Sequence, residues 1–165
     1  MKILQVHKYL YRRAGAEAYF LELAGILAEH GHNVALWGTN AQPMIHDSRF
    51  MIHKDLLVDY LNFDKYEGMI KDVRKVGHML WSREAAGKFE RVVREFKPDI
   101  VHLHNIYHHI SPSILPIAAR YGVPVVMTVH DYHLINANYT LFDHGAICER
   151  SGMRAIAHRC IINSY

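Results

Sequence analysis

Cysteine is scarce in this sequence, which has only Cys148 and Cys160. Two thiols cannot build the disulfide framework of a small secreted domain, and they suit a reducing compartment. Long apolar runs are also missing. No stretch approaches the ~18 apolar residues of a membrane-spanning helix. The opening run Met1-Lys-Ile-Leu-Gln-Val6 is too short for the core of a secretory leader and has no small-residue cleavage site. Charge of one sign is not in excess: the net charge is +3, and no Lys/Arg block or motif of a nucleic-acid binder occurs, which excludes nucleic acid as a partner. There is no internal repeat, low-complexity tract or linker. A soluble, cytoplasmic, globular chain is the expectation.

What is present is the material of one ordinary domain. The chain has 165 residues, 50% hydrophobic and 21% charged, enough for a real core and too apolar for disorder. Strand-like and helix-like segments alternate. Residues 3–7 read as a strand, 8–17 as a loop, and 16–30 as a helix whose Tyr19, Phe20, Leu23, Ala24 and Leu27 form a buried stripe. Gly31 stands where a left-handed helix cap is wanted, and residues 33–37 give a second strand. From Gly38 to Lys65 the pattern is irregular and longer than most connections, hence functional or partly structured. A helix over 66–80 carries Met69, Ile70, Val73, Val76 and Leu80 as a stripe, with Lys71, Arg74 and Lys75 elsewhere. That pairing could suit a membrane surface, although a solvated polar face is the more common explanation.

Ser82 can cap a helix running to Phe96, which Lys97-Pro98 stops. Residues 100–104 read as a third strand. Ser111-Pro112 can start a helix ending at Gly122, provided Pro116 falls within its first turns. Val125-Val-Met-Thr-Val-His-Asp-Tyr-His-Leu134 is a short apolar run fit for a strand covered on both faces, ending in an imidazole, a carboxylate and a phenol. After Leu134 the pattern weakens to short fragments around the turn signal Asp143-His-Gly145, and the sequence stops without a capping element, as a chain cut before its natural end would. Strands alternating with helices imply a doubly wound, mostly parallel α/β sheet with helices on both faces, as one Rossmann-like domain over residues 1–165.

Three groups could carry chemistry. The loop Arg12-Arg-Ala-Gly-Ala-Glu17 leads from a strand into a helix, where backbone N–H groups and the helix dipole favour a phosphate or carboxylate. Gly15 allows close approach, and Arg12 or Arg13 could add charge, although an ordinary strand-to-helix turn would look the same. His102 and His104 project to one side of a strand, which is the geometry of a metal pair; His104 and Asn105 at a strand end are equally suited to bonding a polar ligand. His130 and Asp131, with Tyr132, follow the fourth strand, where ligands of open α/β sheets bind. There His130 could exchange protons with a sugar hydroxyl or a phosphate, or simply cap a loop. No Ser or Cys sits in a nucleophile elbow, which argues against a covalent hydrolase.

The ordered set Lys2-Ile-Leu-Gln-Val6, Gly15-Ala-Glu17, Pro98-Asp-Ile-Val-His-Leu-His-Asn105 and Thr128-Val-His-Asp-Tyr132 resembles the N-terminal half of family 4 glycosyltransferases. The resemblance covers nearly the whole chain and is weakest between Gly38 and Ser82. It implies a GT-B architecture, with two Rossmann-like domains across a cleft. The N-terminal domain receives the acceptor and the C-terminal one holds the nucleotide-sugar, and the chemistry retains anomeric configuration, typically without a metal. Position by position, Gly15, Ala16 and Glu17 match the loop that approaches the donor diphosphate and acceptor. His130 matches the histidine that approaches the donor sugar, and Asp131 follows it in the same motif. His104 and Asn105 match the strand-end motif lining the cleft, with Tyr132 beside them.

Two departures stand out. Ala14 occupies the place of the family's first loop glycine, and Ser151 falls where a Cys-x-x-Cys partner of Cys148 would be, so no structural zinc is expected. The donor-binding half and its paired glutamates are missing. The resemblance therefore implies a nucleotide-sugar and an acceptor as ligands, no cofactor, and a C-terminal domain or partner chain supplying the opposite wall. Little transfer by this chain alone is expected. A peripheral place at the inner face of a membrane stays open. A non-catalytic glycan- or phosphate-binding module working with a partner chain is the alternative.

Overall fold

β1 (Lys2–His7) is the strand on which the sheet is assembled. Its Ile3, Leu4 and Val6 are buried, and it pairs in parallel with β2 (Asn33–Gly38) on one side and β3 (Ile100–Leu103) on the other. β4 (Val125–Met127) adds outside β3, giving the order β2-β1-β3-β4. This computed structural model describes residues 1–43, 50, 52–62, 68–136, 138–143 and 145–148, with the side chains of 69–72 left aside. The expected helix start at Tyr66, Met69, Ile70 and Lys71 as parts of its two faces, Ser151 and Cys160 lie outside that description. The chain divides into two compact units, Met1–Thr128 and Val129–Tyr165.

In the first unit α1 (Gly15–Glu29) covers one face of the sheet. Phe20 and Ala24 are its fully buried positions; Tyr19, placed in the stripe by spacing, is 46% exposed because it falls beyond the edge of the contact. Gly31 ends the helix with φ +82°, as the sequence implied. The other face carries α3 (Arg83–Phe96) and α4 (Leu115–Arg120). There Phe89 packs on Trp37 with ring centroids 5.1 Å apart. Ser82 caps α3 by accepting from the Ala85 N–H at 3.0 Å. Lys97, in the left-handed region, ends it before Pro98. Pro116 falls in the first turn of α4, where its missing N–H costs nothing. Helices on both faces of a four-stranded parallel sheet are the doubly wound α/β class expected.

One expectation is corrected and another made specific. β4 is not covered on both faces: Val125 is 37% and Val126 45% exposed, because β4 is the outermost strand with one neighbour. The segment after β2 is partly structured, one of the two alternatives expected for it. Its Lys54–Leu56 turn of 3-10 helix leads into a parallel bridge between Thr39 and Val58, and Leu56, Leu57 and Val58 are core residues. The Trp37 indole N–H donates to the Leu56 carbonyl at 2.7 Å, tying this segment to the sheet.

α2 (Met69–Leu80) is turned opposite to α3. Lys75 is buried and donates to the Asn62 carbonyl at 2.9 Å, and His78 Nε2 donates to the His109 carbonyl at 2.8 Å. The apolar Val73, Val76 and Leu80 face outward, 66, 55 and 71% exposed. Among the described residues no helix is long and apolar enough to cross a membrane.

In the second unit the fragments expected after Leu134 include an antiparallel pair, β5 (Phe142–Asp143) and β6 (Ala146–Ile147), turning at Gly145 with φ +80°. Asn138 organises the preceding turn: it accepts from the Thr140 N–H and hydroxyl and donates to the Phe142 carbonyl. Cys148 is buried.

Two polar groups in the first unit bear on its stability. His109 is buried, stacks on Tyr60 at 4.8 Å and donates from Nε2 to the Leu61 carbonyl at 3.0 Å. Burial is the main reason its pKa falls to about 4. The unfolded chain therefore takes up this proton at higher pH than the native one, so stability is retained above pH ~6.5 and drains away as pH falls toward 4, by roughly 3 kcal/mol at most. Urea titrations across that range should show the loss, and His109→Gln should remove this part of the slope; an unchanged slope in the variant would exclude His109 as its source. Gln5, fully buried in β1, has no partner for either amide atom among the described residues. An unsatisfied buried amide costs about 1–3 kcal/mol, so Gln5→Met should raise the urea midpoint, and a lowered midpoint would show that the amide is satisfied.

Candidate functional site

The strand order places the opening. The chain passes from β1 to β2 on one side, then returns to β3 on the other, so the connections leave the tips of β1 and β3 in opposite directions. Ligands of open α/β sheets occupy the crevice at such a reversal. Here the two tips stay laced together. The His104 N–H donates to the Val6 carbonyl at 2.9 Å and the Lys8 N–H to the Asn105 carbonyl at 3.0 Å. Thr39, beyond β2, donates its hydroxyl to the Lys8 carbonyl. Gly38 is required at this edge, since a Cβ there would lie 2.0 Å from the His7 carbonyl oxygen.

The loop from β1 delivers α1 to this edge. Ala14 is the extended residue before the helix and has no side-chain acceptor to offer. Glu17 supplies the other half of the usual arrangement: its carboxylate reaches back to accept from the Ala14 N–H at 2.9 Å. The first intrahelical bond runs from the Ala18 N–H to the Ala14 carbonyl at 3.0 Å, leaving the amides of Gly15 and Ala16 ahead of the ladder. Gly15 is exposed, and a Cβ built on it would meet nothing within 4 Å. The fold itself thus does not require glycine there.

Glu17 points inward. It is 4% exposed, and its Oε1 lies 3.6 Å from His7 Nε2, close enough for electrostatic attraction but too long for a hydrogen bond. His7 Nδ1 lies 2.9 Å from the Tyr9 backbone nitrogen and 3.0 Å from the Tyr9 carbonyl oxygen, so the Tyr9 backbone holds the ring with its Nε2 toward Glu17. His104 is also fully buried, 5.2 Å edge-on from the Phe20 ring and 6.2 Å from His7. Instead of opening to solvent, it supports α1 from below. Asn105 is 8% exposed, and its Oδ1 has no partner among the described residues. His102 and His104 do share a face, with centroids 4.3 Å apart, and His102 Nε2 lies 2.8 Å from the Thr128 hydroxyl. Among the described residues no three His, Cys, Asp or Glu are grouped to hold a metal ion.

Gly15, Ala16, Glu17, His104 and Asn105 therefore meet at the tips of β1 and β3. Of the two arginines expected to add charge, Arg12 is paired with Glu22 on the surface of α1, and Arg13 lies over the Tyr9 ring at 4.9 Å. Tyr9 itself escaped the sequence reading. It is 6% exposed, close to Tyr11 and Tyr60, and has Lys8 as a second cation 5.5 Å from its ring. Burial first, then the Tyr60 contact, push its pKa to about 12, so it stays a neutral phenol. The signal was the alternation Lys8-Tyr-Leu-Tyr-Arg-Arg13 directly after a strand.

His130, Asp131 and Tyr132 belong to the second unit, beginning three residues past the end of β4. Asp131 Oδ1 accepts from the His133 N–H at 3.0 Å, fixing a tight turn, and the Tyr132 carbonyl accepts from Ile135 and Asn136. His130 and Asp131 are half-buried and Tyr132 is 51% exposed. A separate surface hollow lined by Val93, Arg94, Lys97 and Pro98 lies before β3, at the opposite edge from the strand tips.

Comparison with known proteins follows the same lines. Over 146 residues, 84% of its length, the chain is 30% identical to a Klebsiella pneumoniae protein described as an uncharacterized 42.6 kDa protein in cps region, and it spans 38% of that relative. The family model of the glycosyl transferase 4-like domain matches residues 14–164, from the residue before α1 almost to the last position. The chain belongs to the glycosyl transferase 4-like domain family.

Proposed function

We propose that this chain is the acceptor-side domain of a retaining, sugar-nucleotide-dependent glycosyltransferase that moves a sugar to a glycan, lipid or small-molecule acceptor without a cofactor or metal. The observation that carries the reading is the amino terminus of α1, with an unobstructed Gly15, held at the reversal between β1 and β3 in a chain of this family. The amides of Gly15 and Ala16, ahead of the helical ladder, and the dipole behind them favour the donor diphosphate as it departs, where negative charge grows. Glu17 does not meet that anion. Anchored to the Ala14 N–H and facing His7, it fixes the direction in which those amides point. Asn105 offers its buried carbonyl oxygen as an acceptor at the neighbouring tip.

His130 and Asp131 are assigned to the donor sugar, with Tyr132 lining the cleft. In the transfer the bond from the anomeric carbon to the phosphate oxygen breaks, a bond to the acceptor oxygen forms, and the acceptor proton leaves with the phosphate. His130 contributes by hydrogen bonding to a sugar hydroxyl, and the Asp131 turn holds its backbone in place. The opposite wall, which holds the nucleotide, comes from the remainder of a longer protein or from a partner chain; the chain spans 38% of its relative. Alone, the present residues orient only part of the reacting pair, and transfer is slow for want of positioning.

The test is nucleotide release from a panel of sugar nucleotides by the chain joined to a donor-binding half. Gly15→Val should leave thermal unfolding within about 0.5 kcal/mol of the parent, because nothing packs there, while lowering turnover at least tenfold. His130→Ala should lower turnover by roughly 100-fold or more. Full turnover in both variants would sink the site assignment. Binding of a glycan with no transfer in any pairing would replace the enzyme by a binding module.

A further inference from the structure

α2 and α3 offer a comparison within one molecule. Both are amphipathic by spacing, and α3 buries its apolar positions Ala85, Phe89, Val92 and Val93. α2 does the reverse. Val73, Val76 and Leu80 fall on one face and are more than half exposed, and Trp81, the residue that ends the helix, is 54% exposed beside them. This orientation is fixed from beneath. Buried Lys75 is bonded to the Asn62 carbonyl, His78 to the His109 carbonyl, and the Ser82 hydroxyl lies 3.3 Å from His78 Nδ1. Rolling the apolar stripe inward would break each of these bonds.

We propose that the outward face of α2 docks on an anionic lipid bilayer, with the helix lying in the plane of the interface. Three features favour lipid over a protein partner. Arg74 on α2 and Arg83, just past its end, are both exposed and add the positive charge that contact with anionic headgroups requires. Trp81 stands at the end of the stripe, and its indole suits the boundary between headgroup and acyl chain. Four side chains on a helix roughly 18 Å long present well under the ~800 Å² per partner of a stable protein interface, but are enough for shallow insertion. The apolar and basic pairing visible in the sequence left this reading open; the outward turn of the stripe now favours it.

Flotation of the 165-residue chain with vesicles of phosphatidylcholine containing 30% phosphatidylglycerol tests this, with brominated lipid as a quencher. Trp37 is fully buried, so quenching reports Trp81. Expected are binding at low salt, at least tenfold weaker binding to pure phosphatidylcholine, and quenching of the exposed tryptophan on binding. Leu80→Glu and Val76→Glu should each weaken binding at least tenfold with thermal unfolding unchanged. Arg74→Glu with Arg83→Glu should abolish the preference for anionic vesicles. Absence of binding, binding without quenching, or binding unaffected by Leu80→Glu would overturn the proposal. Self-association that Leu80→Glu abolishes would overturn it as well, making this face a protein contact.

Discussion

The pairing of β1 on both its edges governs the rest. A strand hydrogen-bonded to β2 and β3 at once cannot shift along either without losing two ladders, so the position of His7 at its end is fixed. From that point Lys8 is bonded to Asn105 and Thr39, and the chain has only the residues from Tyr9 to Ala14 in which to turn into α1. The opening between the tips is a consequence of chain order. The segment after β1 leaves toward β2, the segment after β3 leaves toward β4, and neither covers the gap between them.

Beneath α1 the sheet is unusually polar. Gln5 and His7 on β1 share a face with His102 and His104 on β3, where most parallel sheets present branched aliphatics. Burying imidazoles in this way is unfavourable unless their nitrogens are engaged, and the observed contacts engage some of them: His7 with the Tyr9 amide, His102 with Thr128. Phe20 packs within 5.2 Å of both His7 and His104, supplying the apolar contact that the aliphatics would have given. The result is a support of fixed shape under the first turn of α1. Glu17 completes it, with one carboxylate oxygen bound to Ala14 and the other facing His7. A carboxylate in a helix's first turn also favours the dipole, while the amides of Gly15 and Ala16 stay available beyond it.

Much of this was legible in the residues. Alternating strand and helix patterns gave the doubly wound class, Gly31 and Ser82 gave their caps, and Pro116 limited where α4 could begin. Spacing gave the shared face of His102 and His104, but not what lies over it. Glu17 and His104 illustrate the limit. A motif records that a residue type is wanted at a position, not whether the side chain points into the opening or beneath it, and both of these point beneath. Tyr60 is brought to Tyr9 and His109 by a segment without periodicity, so that meeting had no local signal. β4 misled because an apolar run looks alike at the centre and at the edge of a sheet.

Amphipathic spacing carries the same ambiguity for helices, and α2 shows what resolves it. A period near 3.6 says that a helix has two unlike faces; the partners available to the polar face decide which one turns inward. Lys75 and His78 meet carbonyl oxygens of Asn62 and His109 that need donors, and those bonds hold the helix with its valines outward. His109 then continues the contact inward, stacked on Tyr60, which adjoins Tyr9 and, through it, Arg13. An unbroken set of contacts thus runs from the exposed helix to the tip of β1. A shift of α2 large enough to bury its valines would have to displace His109 from Tyr60, so the outward face of α2 and the arrangement at the strand tips are consequences of the same buried bonds.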